Sequence, residues 1–303
     1  MTQHPILLIA NPAAGRGGAA RHIDAASAAL ETIGAVRVRR TRTPGEEKAF
    51  AHEAAQDGAP LVAVLGGDGT WGNVAHGVLA ATANGTALDR PRLLLLAAGT
   101  GNDFVTSLGA PAHDFPAMAA LAAQGAERTV DLGVVDGRHF LNCLGFGFDA
   151  AVVDRARRVT WLRGHAVYLA TAAALLLRYP GLHVGEGDTP ARRRLMYTFA
   201  NGRRVGGGFP LAPRASVHDG LLDRIVITDV SLAGRVRLLA KARAGRHEGE
   251  PEITMDVGDR WTLRFERPPA YQVDGEWEQS TRTEVEVRCL PGAIRVVAPP
   301  LER

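Results

Sequence analysis

Lysine is nearly missing from this chain. Lys48 and Lys241 are the only two, so arginine carries almost all the basic charge. Arginine in place of lysine is a mark of coding bias, and a formal net charge of only +3 gives no ground for a nucleic-acid partner. A mildly basic face still suits an anionic membrane surface. Cysteine is scarce too: Cys143 and Cys289 lie far apart in apolar, strand-like contexts. That excludes a disulfide framework or a zinc site and leaves two buried free thiols. No long hydrophobic run exists, since the longest uncharged apolar stretch, Ala166 to Leu177, falls short of the roughly 20 residues a membrane span requires. The first residues enter a strand, His4–Ala10, without the basic segment and apolar core of a signal peptide. Internal repeats and low-complexity tracts are absent. The expectation is a cytoplasmic protein that touches a membrane only from outside.

What is present reads as globular. With 46% hydrophobic and 22% charged residues the composition is that of a soluble protein, and 303 residues suffice for two domains. Up to about residue 125, apolar strands at Ile6–Ala10, Ala35–Arg39, Leu61–Leu65 and Leu93–Ala97 alternate with helical patterns at Gly18–Ile33, Pro44–Gln56 and Thr70–Ala81. Such alternation implies βαβ units and a parallel sheet, with ligands bound beyond the carboxyl ends of the strands. After Gln124 strand patterns dominate: Arg128–Val135, Arg138–Phe146, Arg193–Ala200, Leu222–Thr228, Arg260–Glu266 and Thr283–Cys289. Helical stretches interrupt them at Phe148–Arg158, His165–Arg178 and Ser231–Ala244, and Gly292–Ala298 forms a last short strand. Successive strands of this kind predict a mainly antiparallel sandwich or barrel.

Three strands of the first half end in glycine-rich turns. Leu61–Leu65 runs into Gly66-Gly67-Asp68-Gly69-Thr70, where glycines let the backbone turn tightly and the following helix directs free N–H groups at the same spot. Asp68 puts a carboxylate into a turn built for anions, which suits a nucleotide whose phosphates carry Mg²⁺. Asn11-Pro12-Ala13-Ala14-Gly15-Arg16 makes a second anion-accepting loop, with Arg16 as a phosphate contact; it is neither a Walker loop nor a dinucleotide fingerprint. In the third turn, Ala97 to Phe104, Thr100 and Asn102 can bond a nucleotide and Asp103 offers another carboxylate, although Asn102 or Asp103 serves equally as a helix cap. In the second half, Asp219-Gly220 fits a plain hairpin turn as well as a binding loop. Asp274 and Glu276, flanking Gly275 in an exposed turn, are either solvated or a general base with a metal-network anchor.

The order N-P-x-x-G, G-G-D-G-T, G-T-G-N-D-F, A-P-x-A-x-x-x-D-G and D-G-E resembles the diacylglycerol kinase catalytic family over nearly the whole chain. Its length and spacing are most similar to the bacterial soluble lipid kinases, themselves similar to sphingosine and ceramide kinases. The resemblance implies an α/β, Rossmann-like nucleotide domain at residues 1–125, to which 292–303 return, and a mainly antiparallel β-sandwich lipid domain at 126–291. It implies ATP across Asn11, Pro12, Gly15, Arg16, Thr43, Gly66, Gly67, Asp68, Gly69, Thr70, Thr100 and Asn102. Asp68, Asp103 and Asp274 match aspartates tied to the catalytic Mg²⁺ and its waters, and Glu276 matches the proton acceptor from the lipid hydroxyl. A structural Mg²⁺ would be held by Ser216, Asp219 and the backbone oxygen of Leu221. The reaction implied is ATP- and Mg²⁺-dependent phosphorylation of a membrane lipid alcohol in a cleft between the domains. The partners implied are a lipid, ATP and a second copy in a homodimer.

Two positions depart from the pattern: Ala97 replaces a usual proline, and His218 replaces the first aspartate of D-D-G. Arg155, Arg157, Arg158 and Arg163 around Trp161, ahead of the apolar stretch His165–Leu177, suit either an anionic membrane or an ordinary core helix. An NAD kinase-like enzyme shares only G-G-D-G-T, and a non-catalytic binding module would not keep all four acids. Asp68→Ala is expected to abolish turnover and leave the fold intact.

Overall fold

The computed structural model describes residues 4–82, 85–159 and 165–300. The chain divides into two compact units, one of Met1–Leu132 with Pro291–Arg303 and one of Gly133–Leu290.

The first unit is α/β. In chain order it holds β1 (Ile6–Ala10), α1 (Ile23–Glu31), β2 (Val36–Arg40), α2 (Glu46–Gln56), β3 (Leu61–Gly66), α3 (Asp68–Ala81), β4 (Arg92–Ala97), α4 (Asp103–Leu108) and α5 (Phe115–Ala123). Strand β5 (Arg128–Val135) follows and leaves it. The sheet order is β2-β1-β3-β4, all parallel. Strands β1 and β3 are buried along their whole length, so both read as unbroken apolar runs. On one face Leu8, Leu65, Leu94 and Leu96 pack against Ile23 and Leu30 of α1 and Phe115 and Met118 of α5. Each fully buried side chain of this kind stabilises the fold by about 1.5–3 kcal/mol. Alternate residues such as Ile9, Val64 and Leu95 are also buried. Helices α2 and α3 pack on one another and against β1 and β3. Their approach needs Gly77, because a Cβ there would lie 2.2 Å from the Lys48 carbonyl oxygen. The helix expected from Gly18 begins only at Ile23, since Gly15, Arg16 and Gly17 all take positive φ and residues Ala14–His22 form a kinked 3₁₀ stretch.

The second unit is mainly antiparallel. It contains β6 (Arg138–Phe140), β7 (Cys143–Gly147), α6 (Phe148–Arg157), α7 (His165–Leu176), β8 (Leu182–Glu186), β9 (Thr189–Ala200), β10 (Leu222–Thr228) and α8 (Leu232–Arg243). It continues with β11 (Ile253–Gly258), β12 (Arg260–Phe265), β13 (Ala270–Val273), β14 (Glu276–Gln279) and the start of β15 (Glu284–Val296). The order is β14-β13-β7-β9-β8-β12-β15, with β10 and β11 added through β9. Phe146, Phe199, Trp261 and Tyr271 fill one core, and Phe148, Leu195, Ile225 and Leu238 a second. Cys143 and Cys289 are buried and unbridged.

Two segments differ from expectation for reasons visible in the backbone. The run Arg138–Phe146 is two strands, because the N–H groups of Leu141, Asn142 and Cys143 turn to the Asp274 carboxylate instead of a neighbouring strand. The runs around Pro291 are one strand: β15 pairs with β12 up to Arg288 and with β4 at Val296, so Pro291-Gly292 falls where the partner changes. Among the described residues no helix is long and apolar enough to cross a membrane. Trp161 and Arg163 lie outside the described residues.

Candidate functional site

In the first unit the three glycine-rich turns meet at the carboxyl ends of β1, β3 and β4. Asn11 closes the first against the second: its backbone N–H reaches the Leu65 carbonyl at 3.0 Å and its side-chain amide donates to Thr70 Oγ1 at 3.0 Å. Glycine then sets how near the turns come. A Cβ on Gly15 would lie 2.6 Å from the Ala98 carbonyl oxygen, and one on Gly99 would lie 2.5 Å from the Gly67 Cα. No side chain fits between these backbones. Pro12 and Arg16 belong to the first of these turns, Gly66 and Gly69 to the second and Thr100 to the third. Thr43 follows β2 at the same end of the parallel sheet, in a turn where Glu46 accepts from the Arg42 and Thr43 N–H groups at 2.6 and 3.4 Å.

Asn102 shapes the third turn. It adopts the left-handed region, φ 56°, and its amide both accepts from the Gly99 N–H at 3.1 Å and donates to the Gly99 carbonyl at 3.0 Å. Asp68 does not simply project outward. Its carboxylate accepts the Asp103 and Phe104 N–H groups at 3.1 and 3.0 Å, so it caps α4 from another strand's turn. Burial, then the like charge of Asp103, raises the Asp68 pKa to about 6 despite those hydrogen bonds. Both carboxylates converge on Gly101, where a Cβ would stand 3.0 Å from one oxygen of Asp68 and 3.5 Å from one of Asp103. Two acids brought together in this way raise each other's cost of ionisation. A carboxylate pair beside an anion-binding turn is the donor set that suits Mg²⁺ shared with phosphates.

In the second unit Asp274 and Gly275, φ 49° and 84°, form the two-residue turn of the β13–β14 hairpin. Asp274 is 7% exposed, not solvated, and accepts three backbone N–H groups, from Leu141, Asn142 and Cys143, at 2.8, 2.8 and 3.0 Å. It fixes the turn. Glu276, the first residue of β14, keeps a more open side chain, 40% exposed, and accepts from Arg138 at 2.5 Å. Arg138 has no sequence signal of its own, because its partner lies 138 residues away.

The Ser216–Leu221 loop lies elsewhere in this unit. Ser216 Oγ and His218 Nδ1 are 3.2 Å apart, and Asp219 accepts the Leu221 N–H at 3.1 Å. Nearby Asp223 is raised to about 6 by burial and by the negative charges of Asp219 and Glu248. Among the described residues no group of three or more His, Cys, Asp or Glu side chains is arranged to hold a metal. A further acid passed over in the sequence is Asp149, at the start of α6. Burial raises its pKa to about 7. Its carboxylate lies over Gly145, where any Cβ would overlap it.

Residues 5–135 match the family described as the diacylglycerol kinase catalytic domain, and residues 142–298 match the YegS C-terminal NAD kinase beta sandwich-like domain. A Pseudomonas aeruginosa (strain UCBPP-PA14) protein named "probable lipid kinase YegS-like" is 30% identical over 308 residues, covering 99% of this chain and 96% of its own. The diacylglycerol kinase of Bacillus subtilis (strain 168) is 28% identical over 281 residues, covering 89% of each chain. The crystal structure of a diacylglycerol kinase from Bacillus anthracis str. Sterne shares the fold, with a TM-score of 0.70, 20% identity and coverage of 99% of this chain and 98% of that one.

Proposed function

The chain belongs to the diacylglycerol kinase and YegS-like lipid kinase family and is a kinase, and from that premise we propose that it transfers the γ-phosphoryl group of ATP to the hydroxyl of a membrane lipid such as diacylglycerol. The observation that carries this is the convergence of Asp68 and Asp103 beside three turns with no room for side chains between them. ATP lies along Asn11–Arg16, Thr43, Gly66–Thr70 and Thr100, its phosphates on backbone N–H groups. Asn102 contributes through the shape it gives the third turn.

Asp68 and Asp103 would hold Mg²⁺, which when bound neutralises charge on the phosphates. Glu276 accepts the proton of the lipid hydroxyl as its oxygen bonds to the γ-phosphorus and the bond to the departing ADP oxygen breaks. Asp274 fixes the turn that presents Glu276. Ser216, Asp219 and the Leu221 carbonyl would hold a second ion, supported by the crowding of Asp219, Asp223 and Glu248.

Access to the lipid is supported by exposed apolar residues, Leu169 and Leu177 near α7 and Leu232 and Val236 on α8. Of the arginines that suit either a membrane or an ordinary core helix, Arg157 and Arg158 pair with Asp154 at 2.6 and 2.8 Å, and the Arg157 guanidinium stacks 4.5 Å from the Trp277 ring centre. The exposed leucines and valine therefore carry more of the proposed contact than the charges.

Radiolabelled ATP with Mg²⁺, offered diacylglycerol, phosphatidylglycerol, sphingosine and ceramide in vesicles and NAD in solution, tests this. We expect label in one lipid, faster on vesicles containing phosphatidylglycerol. Label in NAD alone, or in nothing, would overturn the proposal.

A further inference from the structure

Glu276 has a built setting that its assigned role leaves unexplained. Along β14 alternate side chains share a face, so Glu276 and Glu278 point the same way and Trp277 the other. Arg138 meets both acids: one guanidinium nitrogen lies 2.5 Å from Glu276 Oε2 and the other 2.8 Å from Glu278 Oε1. Its side chain is only 16% exposed. Arg138 comes from β6, and the residues just after it, Leu141 to Cys143, are those that bind Asp274. One short stretch of chain therefore grips the D-G-E turn twice, at its backbone through Asp274 and at its acidic side chain through Arg138.

We propose that Arg138 is a positioning residue for phosphoryl transfer, its guanidinium holding the Glu276 carboxylate in place while Glu278 serves as the standing counter-charge. This rests on the assignment of Glu276 as proton acceptor. Two carboxylates side by side on one strand face repel each other, and without the cation between them Glu276 would swing away. A planar fork bridges two carboxylates at a fixed separation, whereas the rotatable donors of an ammonium leave that separation loose. Glu278 gives the arrangement its second use. When the lipid oxygen bonds to phosphorus and its proton moves to Glu276, that carboxyl becomes neutral. Arg138 then still faces one carboxylate and is not stranded. Stability alone does not account for the trio, since partly exposed ion pairs contribute little to it.

The test uses the whole chain and whichever lipid of the vesicle panel is turned over fastest. Arg138→Gln should lower kcat roughly 10- to 100-fold, with the KM for ATP and the melting temperature close to wild type. Arg138→Lys, which keeps the charge and loses the fork, should fall between. The double variant Arg138→Gln/Glu276→Gln should be no slower than Glu276→Gln alone, because the two residues act as one unit. If Glu276→Gln is slow while Arg138→Gln turns over like wild type, or if the two losses multiply, the positioning role is overturned and the base assignment stands. If Glu276→Gln itself turns over like wild type, the base assignment fails and the role of Arg138 goes with it. Should Arg138→Gln not fold, Arg138→Lys decides: a reduced kcat at unchanged KM supports the role, and a wild-type kcat overturns it.

Discussion

At the scale of single residues Asp68 is asked to do two things that conflict. Its carboxylate caps α4 through the Asp103 and Phe104 N–H groups, which favours an ionised acceptor. Burial and the neighbouring Asp103 charge outweigh those hydrogen bonds and lift its pKa from 3.8 to about 6. Without a cation the ionised form therefore costs stability at neutral pH, as is common for groups kept for chemistry. The expectation that Asp68→Ala leaves the fold untouched accordingly needs revision: alanine strands two helix-start N–H groups, at about 1–2 kcal/mol. Asparagine imitates the protonated acid instead. Asp68→Asn should therefore melt above wild type at pH 8 without Mg²⁺, by a smaller margin at pH 5, and level with it only below about pH 4. Its lipid kinase activity should fall by roughly two orders of magnitude. A difference from wild type that is the same at both pH values, or an activity that is kept, would separate Asp68 from the proposed ion.

Elements hold these residues in place through contacts that tolerate little change. Helix α3 starts in the Gly66–Thr70 turn and α2 starts just after Thr43, and the two touch at Gly77. The added methyl of Gly77→Ala would press on the Lys48 backbone, which cannot rotate away as a side chain would. We expect a loss of about 1–3 kcal/mol in urea unfolding and a raised KM for ATP, because both turns begin on the displaced helices. Unchanged unfolding would show that α2 and α3 part without cost. The sheet of this unit was legible because each strand is a continuous apolar run closed by a glycine turn, and the turns lie within a few residues of the strands they follow. Strands β8 and β11 are not continuous apolar runs. Leu182 and Val184 alternate with His183 and Gly185, and Ile253, Met255 and Val257 with Thr254, Asp256 and Gly258, a short period-two signal with no continuous run to mark it. Helix α5 is alanine-rich and carries no polar face to set a period. The six-residue α4 showed only its cap. The second half of the candidate site depended on pairs far apart in sequence. Asp274 with residues 141–143 and Glu276 with Arg138 are joined by the fold alone, so D-G-E could be read as a motif but not as a clamped turn.

At the scale of the whole molecule, Asp149, Asp68 and Asp223 titrate in the same direction. The folded-state pKa rises from 3.8 to about 7 for Asp149, through burial, and to about 6 for Asp68 and Asp223, through burial and then neighbouring negative charge. Between pH 4 and 7 the folded chain holds protons that the unfolded chain has released. Stability is thus fullest at the acid end of that window and falls as pH rises through the folded values. Carboxylates lowered by hydrogen bonds, such as Asp89, act oppositely and only below about pH 4. The melting temperature should therefore decline from pH 5 to pH 8. Mg²⁺ divides the decline by site. Bound beside Asp68 and Asp103, or beside Asp219 and Asp223, it favours the ionised acids and restores part of the loss at pH 8. Asp149 is engaged by the Ala150 N–H at 2.9 Å and by longer contacts to Thr198 and Gln272, and burial, not a neighbouring acid, raises its pKa. Its share should persist in Mg²⁺ and disappear in Asp149→Asn. Calorimetry of wild type and Asp149→Asn at pH 5 and 8, each with Mg²⁺ or EDTA, separates the two contributions. A wild-type melting temperature indifferent to Mg²⁺ at pH 8 would count against both proposed ion sites, and a wild-type pH slope in Asp149→Asn would show that this acid does not govern the decline.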